Sequence, residues 1–361
     1  MAKFQFWLPT PDKLTRIQRR AISSDKDILL SGVPGSGKTV VSIYRLKNTK
    51  KGILFTYGKL LRKTIEEKVN DTSKPVVNIH RWLYDATDQV RYLEENLSDQ
   101  NLSQTISTLK SKGIKFDEIL VDEGQDLLPN SYKLFKGIAK NISVSADEAQ
   151  KVNNKERASD EKDIMAVLPH LKKEELDEIF RSAYELYNFA RQFVPYNARA
   201  NEPNILERLQ LKNSGADKPF VYIVNSSLNS YEIIQDIIDD NPTDNIGILC
   251  GDIASVKSCT AHLKNNYDVS SYHSYLSKSE QKELFDNNLN NIIITTLKSA
   301  KGIEFDIVIL HEVQNAETNN AEEYFVGATR AKSQVHLISV QGIPDIMNGF
   351  NKDTYRLIDK R

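Results

Sequence analysis

A glycine-rich octapeptide that ends in a lysine and a threonine carries the clearest chemistry in the sequence. The segment reads GVPGSGKT and lies between an aliphatic run and a stretch with helical spacing, VVSIYRL. Its backbone N–H groups can curl around phosphate oxygens at a helix N-terminus. Lys38 can then reach the β- and γ-phosphates of a nucleotide, and Thr39 can supply a hydroxyl to Mg²⁺. The remaining phosphate-binding positions are Gly32, Gly35, Ser36 and Gly37. A chance glycine turn is the competing interpretation, and the flanking strand and helix patterns argue against it.

An acidic pentapeptide, DEGQD, follows a later aliphatic run at residues 118–121. Carboxylates at the carboxyl end of a strand lie where open α/β sheets bind ligands. Asp122 is suited to holding the Mg²⁺ that bridges the phosphates, and Glu123 to orienting and deprotonating an attacking water. A solvated acidic turn is the alternative, and the glycine-rich loop upstream makes it the weaker one.

Short aliphatic runs alternate with segments of helical spacing along the chain, which predicts βαβ units and parallel sheets. The first set of predicted strands comprises 27–31, 52–56, 118–121 and 142–145, and the second set comprises 220–224, 245–250, 291–295, 307–310 and 334–339. A polar region without an aliphatic run spans 151–177. We therefore expect a boundary near residue 175, with one α/β domain over 1–175 and a second over 176–361.

Composition excludes several classes of protein. The 361 residues are 40% hydrophobic and 27% charged, which is typical of a packed globular chain. No apolar stretch is long enough to span a bilayer, and only two cysteines are present, so we expect a cytoplasmic protein without a membrane role. The net charge of −1 hides an asymmetry, because residues 1–82 carry 17 basic and 6 acidic side chains. Such a basic part can bind a phosphate backbone, or it can be a solvated surface.

Taken together, the motifs resemble those of superfamily 1 helicases, specifically the UvrD/Rep-like branch, and the resemblance covers most of the chain. The segments that carry it are LTRIQ at 14–18, ILFTYGKLL at 53–61, VNIHRWL at 77–83, VDEGQD at 121–126, ADEAQ at 146–150, FRS at 180–182, TLKSAKGIEF at 296–305 and YFVGATRA at 324–331. The resemblance implies two RecA-like P-loop NTPase domains, with parallel sheets flanked by helices and Mg-ATP bound in the cleft between the domains.

The resemblance also assigns roles to individual residues. Gln18 is expected on the adenine, Phe180 is expected to stack on the same base, and Gln150 is expected to sense the γ-phosphate. Arg181 and Arg330 are expected to reach the phosphates, and a guanidinium supplied by a second domain would make hydrolysis depend on domain closure. The TLKSAKGIEF segment contributes Gly302 and Glu304 to the nucleotide site. Nucleic-acid contacts are expected at Tyr57, His80, Trp82, Thr296 and Lys298, although an aromatic at such spacing is about as often a core residue.

Two departures from the family bear on function. The large helical insertions that contact duplex in the family are missing, since only short gaps separate the motifs, so the resemblance does not imply unwinding of duplex by this chain alone. The segment KVNNKERAS, from Lys151, lacks the base-stacking aromatics that follow this motif in the family.

We therefore expect a nucleic-acid-dependent ATPase that moves on single strands, DNA in preference to RNA, with a 3′ to 5′ direction taken from the family. The stripped size suggests a motor subunit that works with a protein partner, such as a nuclease in a defence or repair system. The alternatives are an ATP switch that senses nucleic acid and signals to a partner without processive movement, and a P-loop ATPase without a nucleic-acid role. RNA as the substrate stays open.

Overall fold

The computed structural model describes residues 2–32, 35–56, 58–71, 73–87, 97–146, 159–176, 178, 183–194, 206–207, 209–210, 213–316 and 321–361. The chain divides into two compact units. An N-terminal unit spans Trp7–Phe180, and a C-terminal unit comprises Met1–Phe6 and Arg181–Arg361.

The N-terminal unit contains a parallel sheet flanked by helices. Its strands are β1 Ile28–Gly32, β2 Gly52–Phe55, β3 Val76–Val77, β4 Phe116–Val121, β5 Ala139–Ser145 and β6 Lys172–Leu176, in the order β3-β2-β4-β5-β1-β6. Its helices are α1 Arg16–Ser23, α2 Lys38–Asn48, α3 Lys59–Val69, α4 Ile79–Thr87, α5 Asp99–Ser111, α6 Pro129–Ile138 and α7 Glu161–Val167. Alternate residues of β1 enter two apolar clusters, Leu29 in one and Ile28 and Leu30 in the other, because successive side chains point to opposite faces of a strand.

The C-terminal unit contains a second parallel sheet. Its strands are β7 Phe220–Val224, β8 Ile246–Cys250, β9 Val269–Tyr272, β10 Ile292–Thr296, β11 Phe305–His311, β12 Ala331–Val340 and β13 Arg356–Asp359, in the order β13-β7-β12-β11-β8-β10-β9. Its helices are α8 Tyr184–Ala190, α9 Ser227–Asp240, α10 Ile253–Leu263, α11 Lys278–Asp286 and α12 Ala321–Ala328. The two parallel sheets confirm the predicted α/β class.

All nine strands predicted from aliphatic runs are present, with ends shifted by up to three residues. The polar region 151–177, which has no aliphatic run, nevertheless contains a strand, because β6 pairs in parallel with β1 at the edge of the first sheet. Three of its five residues, Lys172, Lys173 and Glu175, are exposed, so the strand has no aliphatic run to mark it. The boundary predicted at residue 175 falls inside β6.

The first residues of the chain pack with the C-terminal unit, whereas the sequence placed them in the first domain. The Phe4 ring lies edge-on to the Phe305 ring with centroids 5.9 Å apart, and the Phe4 N–H donates to the Leu289 carbonyl at 2.8 Å. The helices offer no membrane span among the described residues, since none of them is both long and apolar enough to cross a bilayer.

Candidate active site

The glycine-rich loop connects β1 to α2, as its flanking patterns predicted. Gly35 and Gly37 have φ values of 80° and 87°, in the left-handed region that glycine adopts most readily. A Cβ on Gly37 would lie 2.4 Å from Gln18 Nε2, so this position is restricted by space as well as by backbone conformation. Residues 33 and 34 of the loop lie outside the described residues.

Gln18 holds the glycine-rich loop through its side-chain amide. The Gln18 N–H donates to Thr15 Oγ1 at 3.1 Å, and the Thr15 N–H donates to Gln18 Oε1 at 2.9 Å, which forms a capping box at the start of α1. The remaining amide group, Nε2, donates to the Ser36 carbonyl at 3.1 Å. The buried amide therefore fixes the loop, and its contact with adenine stays a prediction.

Polar groups converge on the loop in a way that fits a polyphosphate. Lys38 Nζ donates to the Gly32 carbonyl at 2.6 Å, so the ammonium group lies over the strand end that begins the loop. The buried Ser36 Oγ has no hydrogen-bond partner within the described parts of the chain. A buried hydroxyl without a partner is costly, and a phosphate oxygen is an acceptor that would satisfy it.

Thr39 and Asp122 come together although 83 positions separate them in the chain. Thr39 Oγ1 donates to Asp122 Oδ2 at 2.8 Å, and the Asp122 N–H donates to the Phe55 carbonyl at 2.8 Å. A hydroxyl and a carboxylate are oxygen ligands of the kind that Mg²⁺ prefers. The donor set therefore fits the metal ion that the sequence predicts at these two residues.

Glu123 adopts an uncommon backbone conformation directly after β4. Its φ is 58° and its ψ is 47°, a left-handed conformation that costs a non-glycine residue about 1–3 kcal/mol. Gln125 Nε2 donates to Glu123 Oε2 at 2.6 Å, and Tyr132 Oη donates to the Gly124 carbonyl at 2.5 Å. The turn is thus held rigid, and it fixes the carboxylate beside Asp122 in the chain.

A second glutamate in the chain has the same conformation. Glu312, after β11, has a φ of 54° and a ψ of 55° and is followed by a 3₁₀ turn over Val313–Asn315. Backbone strain alone is therefore weak evidence for catalysis here. Glu123 differs because the neighbouring Asp122 is hydrogen-bonded to the residue that ends the phosphate loop.

A buried ion pair ties the loop helix to the strand that carries the carboxylates. Arg45 Nη2 of α2 lies 2.6 Å from Glu118 Oε1 of β4, and both side chains are almost fully buried. Thr49 Oγ1 and Ser143 Oγ also donate to the Glu118 carboxylate, at 2.9 and 2.6 Å. This network fixes α2 against β4 and so sets the position of Thr39 relative to Asp122.

The C-terminal unit holds the other described candidates for the nucleotide site. Arg330 is 1% exposed, and its Nε donates to the Val326 carbonyl at 2.9 Å while Nη2 donates to Thr329 Oγ1 at 3.4 Å. Gly302 has a φ of 83°, and Glu304, two residues later, is half-buried. The structure therefore holds Arg330 within its own segment, and its action on a phosphate stays a prediction.

The residues that are predicted to contact nucleic acid differ in their surroundings. Thr296 Oγ1 donates to Ser299 Oγ at 3.0 Å and accepts the Ser299 N–H at 3.2 Å, which closes the turn after β10. Lys298 is exposed and its Nζ lies 3.1 Å from Glu323 Oε1. His80 lies half-buried in the first turn of α4.

Trp82 belongs to the core of the N-terminal unit. Its ring packs on Phe55 at 5.2 Å and on Phe116 at 6.1 Å between centroids. This placement favours a packing role for Trp82 over base stacking. Four candidates lie outside the described residues, namely Tyr57, Gln150, Phe180 and Arg181.

Sequence reasoning missed the residues that support the site. Arg45 and Glu118 lie in a helix and a strand that the periodicity predicts, but nothing in one sequence pairs them. Gln125 stands inside the quoted DEGQD motif, and its spacing of two from Glu123 was the available signal for a hydrogen bond within the turn.

Comparison with known proteins places this geometry among helicases. A family model described as the Schlafen group 3 DNA/RNA helicase domain matches residues 26–251. The RecB subunit of the RecBCD enzyme from Chlamydia pneumoniae is 33% identical over 103 residues, which covers 26% of this chain and 9% of RecB. This chain thus spans only a small part of that relative's length.

Dbp5 from S. cerevisiae has a similar fold. The structure of S. cerevisiae Dbp5 bound to RNA and ADP BeF3 has a TM-score of 0.57 and 12% identity, and the match covers 95% of this chain and 89% of Dbp5. The C-terminal domain of a possible DNA helicase from Lactobacillus plantarum has a TM-score of 0.36 and 18% identity, over 49% of this chain and 98% of that domain.

Proposed function

This chain belongs to the Schlafen group 3 DNA/RNA helicase domain family, and from that premise we propose that it is an ATP-driven translocase on single-stranded nucleic acid, of the UvrD/Rep-like type. Membership of the family supports a helicase-like, nucleic-acid-dependent ATPase in general terms. The movement, the type of strand, the UvrD/Rep-like branch and the role of each residue are parts of the proposal.

The observation that carries the proposal is the hydrogen bond of 2.8 Å between Thr39 Oγ1 and Asp122 Oδ2. It joins the end of the phosphate loop to the carboxylates after β4, so two motifs that are far apart in the chain form one polar site. Phosphoryl transfer depends mainly on positioning and on charge stabilisation, and the paired hydroxyl and carboxylate are suited to both.

Each described residue then has a proposed role. The glycine loop and Lys38 bind the phosphates, and Thr39 and Asp122 would hold Mg²⁺, whose charge would stabilise the negative charge of the transferred group. Glu123, fixed by Gln125, orients an attacking water and takes its proton. Arg330 and Arg181 are proposed to supply guanidinium charge to the phosphates, and Gln150 to sense the γ-phosphate.

The proposed substrate is single-stranded DNA, traversed in the 3′ to 5′ direction, as the UvrD/Rep-like resemblance implies. The description of the family names both DNA and RNA, and the Dbp5 structure contains RNA, so RNA is the alternative that the test includes. We further propose that the chain is the motor component of a larger assembly with a protein partner, such as a nuclease of a defence or repair system.

An ATP switch that senses a strand without moving is the competing function. The two are separated by steady-state ATP turnover measured with oligonucleotides of increasing length, in DNA and RNA series. A translocase spends longer on a longer strand before it dissociates, so its turnover rises with length. Turnover that reaches a plateau at one binding site would contradict translocation and favour the switch.

A further inference from the structure

The turn between β9 and α11 presents an exposed tyrosine at its tip. Tyr275 is 81% exposed, more than any other large apolar or aromatic side chain in the described parts of the chain. We infer that Tyr275 is a stacking site for an unpaired base of the bound single strand. This inference rests on the proposed function, and it adds a binding residue to that function.

The turn is held at both ends, so the tyrosine is displayed on a rigid support. His273, at its start, is 5% exposed, and the Leu276 N–H closes the turn on the His273 carbonyl at 3.2 Å. Gln281 Nε2 donates to the Leu276 carbonyl at 2.6 Å. Ser277 and Glu280 form a capping box that fixes the start of α11. A rigid aromatic loses little conformational entropy when a base stacks on it.

The sheet places this turn beside Thr296 and Lys298, two residues that are predicted to contact nucleic acid. β9 and β10 are adjacent and parallel, with Tyr272 in register with Thr295, and Thr295 Oγ1 donates to the Tyr272 carbonyl at 2.9 Å. Neighbouring strands lie about 4.8 Å apart, so the turn that carries Tyr275 and the turn that carries Thr296 and Lys298 leave the same edge of the sheet side by side.

The charges around the turn suit a phosphate backbone. Lys298 is exposed on the neighbouring turn, and Lys257 of α10 is close enough that its charge, after burial, lowers the pKa of His273. The opposing acidic groups are Glu280, which is engaged in the capping box, and Glu323, whose Oε1 lies 3.1 Å from Lys298 Nζ. An exposed ring beside cations matches the combination of stacking and phosphate contact that single strands use.

At two places where the family resemblance predicts an aromatic contact with nucleic acid, this chain offers little for a base to stack on. Residues 151–159 contain no aromatic side chain, and the Trp82 ring is packed on Phe55 and Phe116. Tyr275 is an aromatic group whose ring is left exposed by the fold and lies beside predicted strand contacts. We therefore assign it to a base rather than to a phosphate or to the nucleotide.

The test compares binding of a fluorescent single strand to Tyr275→Ala, to Tyr275→Phe and to the unaltered chain, by anisotropy with oligo(dT) and oligo(rU). We expect Tyr275→Ala to raise the Kd about tenfold, within the range for loss of one base stack, and Tyr275→Phe to keep the original Kd. Leu357→Ala is the matched control, since Leu357 is an exposed apolar residue on β13, at the other edge of the sheet.

Two further readouts separate stacking from other roles. An abasic strand should bind the unaltered chain and Tyr275→Ala equally, because neither complex can form the stack. The dependence of Kd on salt should be unchanged in Tyr275→Ala and shallower in Lys298→Ala, since only the lysine displaces counterions.

The outcomes separate a failure of the Tyr275 stacking site from a failure of the proposed function. If the unaltered chain binds strands and Tyr275→Ala binds them equally well, the stacking site is wrong and the proposed function stands, which would point to a protein contact at Tyr275. If the unaltered chain binds neither strand, the proposed function and the inference both fail.

Discussion

At the scale of single residues, Gly37 and Glu123 show how backbone conformation prepares the site. Both are left-handed, but for opposite reasons. Gly37 avoids a side chain that has no room, whereas Glu123 keeps a side chain in spite of strain. The strained backbone of Glu123 in a rigid turn is a reason to look for a function of this residue. The neighbouring Thr39–Asp122 hydrogen bond suggests that this function lies at the phosphate loop.

Gly37→Ala should weaken nucleotide binding by tenfold or more. The new Cβ would lie 2.4 Å from Gln18 Nε2 and would displace the amide that holds the Ser36 carbonyl. Binding of a fluorescent ATP analogue measures the effect. Gly113→Ala is the matched control, because Gly113 has a φ of 73° with nothing within 4 Å of the added Cβ, so it introduces similar strain away from the loop. Equal affinities in the two variants would show that the contact with Gln18 is unimportant.

Glu123→Gln should lower ATP turnover about a hundredfold to ten-thousandfold while nucleotide binding persists, because an amide cannot accept the proton of the attacking water. Turnover and binding are measured on the same preparation. Glu312→Gln, which alters a glutamate with the same backbone conformation, should turn over ATP normally. A normal rate in Glu123→Gln would remove Glu123 from the mechanism.

At the scale of elements, the sequence predicts the buried strands well and the edges poorly. Aliphatic runs mark β1, β2, β4 and β5 because both faces of these strands are buried. β3, β6, β9 and β13 were missed. The first of these has two residues, and the other three carry polar or charged side chains suited to partly exposed strands.

The site shows the same division. Motif spacing predicts the phosphate loop and the acidic turn, because each is local in the chain. The network that sets their distance joins Arg45 to Glu118 across 73 positions, and one sequence carries no signal for it. Trp82 shows the opposite error. Its motif resembles one that contacts nucleic acid in the family, whereas its ring packs on Phe55.

Arg45→Met should destabilise the N-terminal unit by about 3–5 kcal/mol, because it leaves the buried Glu118 carboxylate without its cation. Urea unfolding measures the loss. The double variant Arg45→Met with Glu118→Leu should recover part of the stability, since it removes the buried charge that the single variant leaves behind. Arg81→Ala, in the exposed pair with Asp85, is the control and should cost less than about 1 kcal/mol. Equal losses for Arg45 and Arg81 would contradict the positioning role.

At the scale of the whole molecule, two α/β units share one architecture but differ in chemistry. The N-terminal unit holds the glycine loop, the candidate magnesium ligands Thr39 and Asp122, and Glu123. The C-terminal unit holds Arg330, the turn with Thr296 and Lys298, and Tyr275. Candidate residues for binding nucleotide and nucleic acid therefore occur in both units.

Stability of the C-terminal unit should fall as the pH drops from 7 to 5. Burial lowers the pKa of His336 from 6.5 to about 4, so the unfolded state binds the proton first and gains free energy relative to the folded state. This group should cost about 2 kcal/mol of the free energy of unfolding over that interval. His336→Phe, which retains a ring against Phe220, should lose correspondingly less in urea unfolding at the two pH values. An identical pH dependence in the variant would show that His336 does not titrate as described.

The central claim is that binding of single-stranded nucleic acid stimulates ATP hydrolysis at the site formed by the glycine loop and the acidic turn. The most direct test is steady-state ATP hydrolysis by the purified chain, with and without single-stranded DNA or RNA, in the unaltered protein and in Glu123→Gln. We predict turnover that rises on addition of one strand type and is lost in Glu123→Gln. Turnover that neither strand changes, or that persists in Glu123→Gln, would contradict the account.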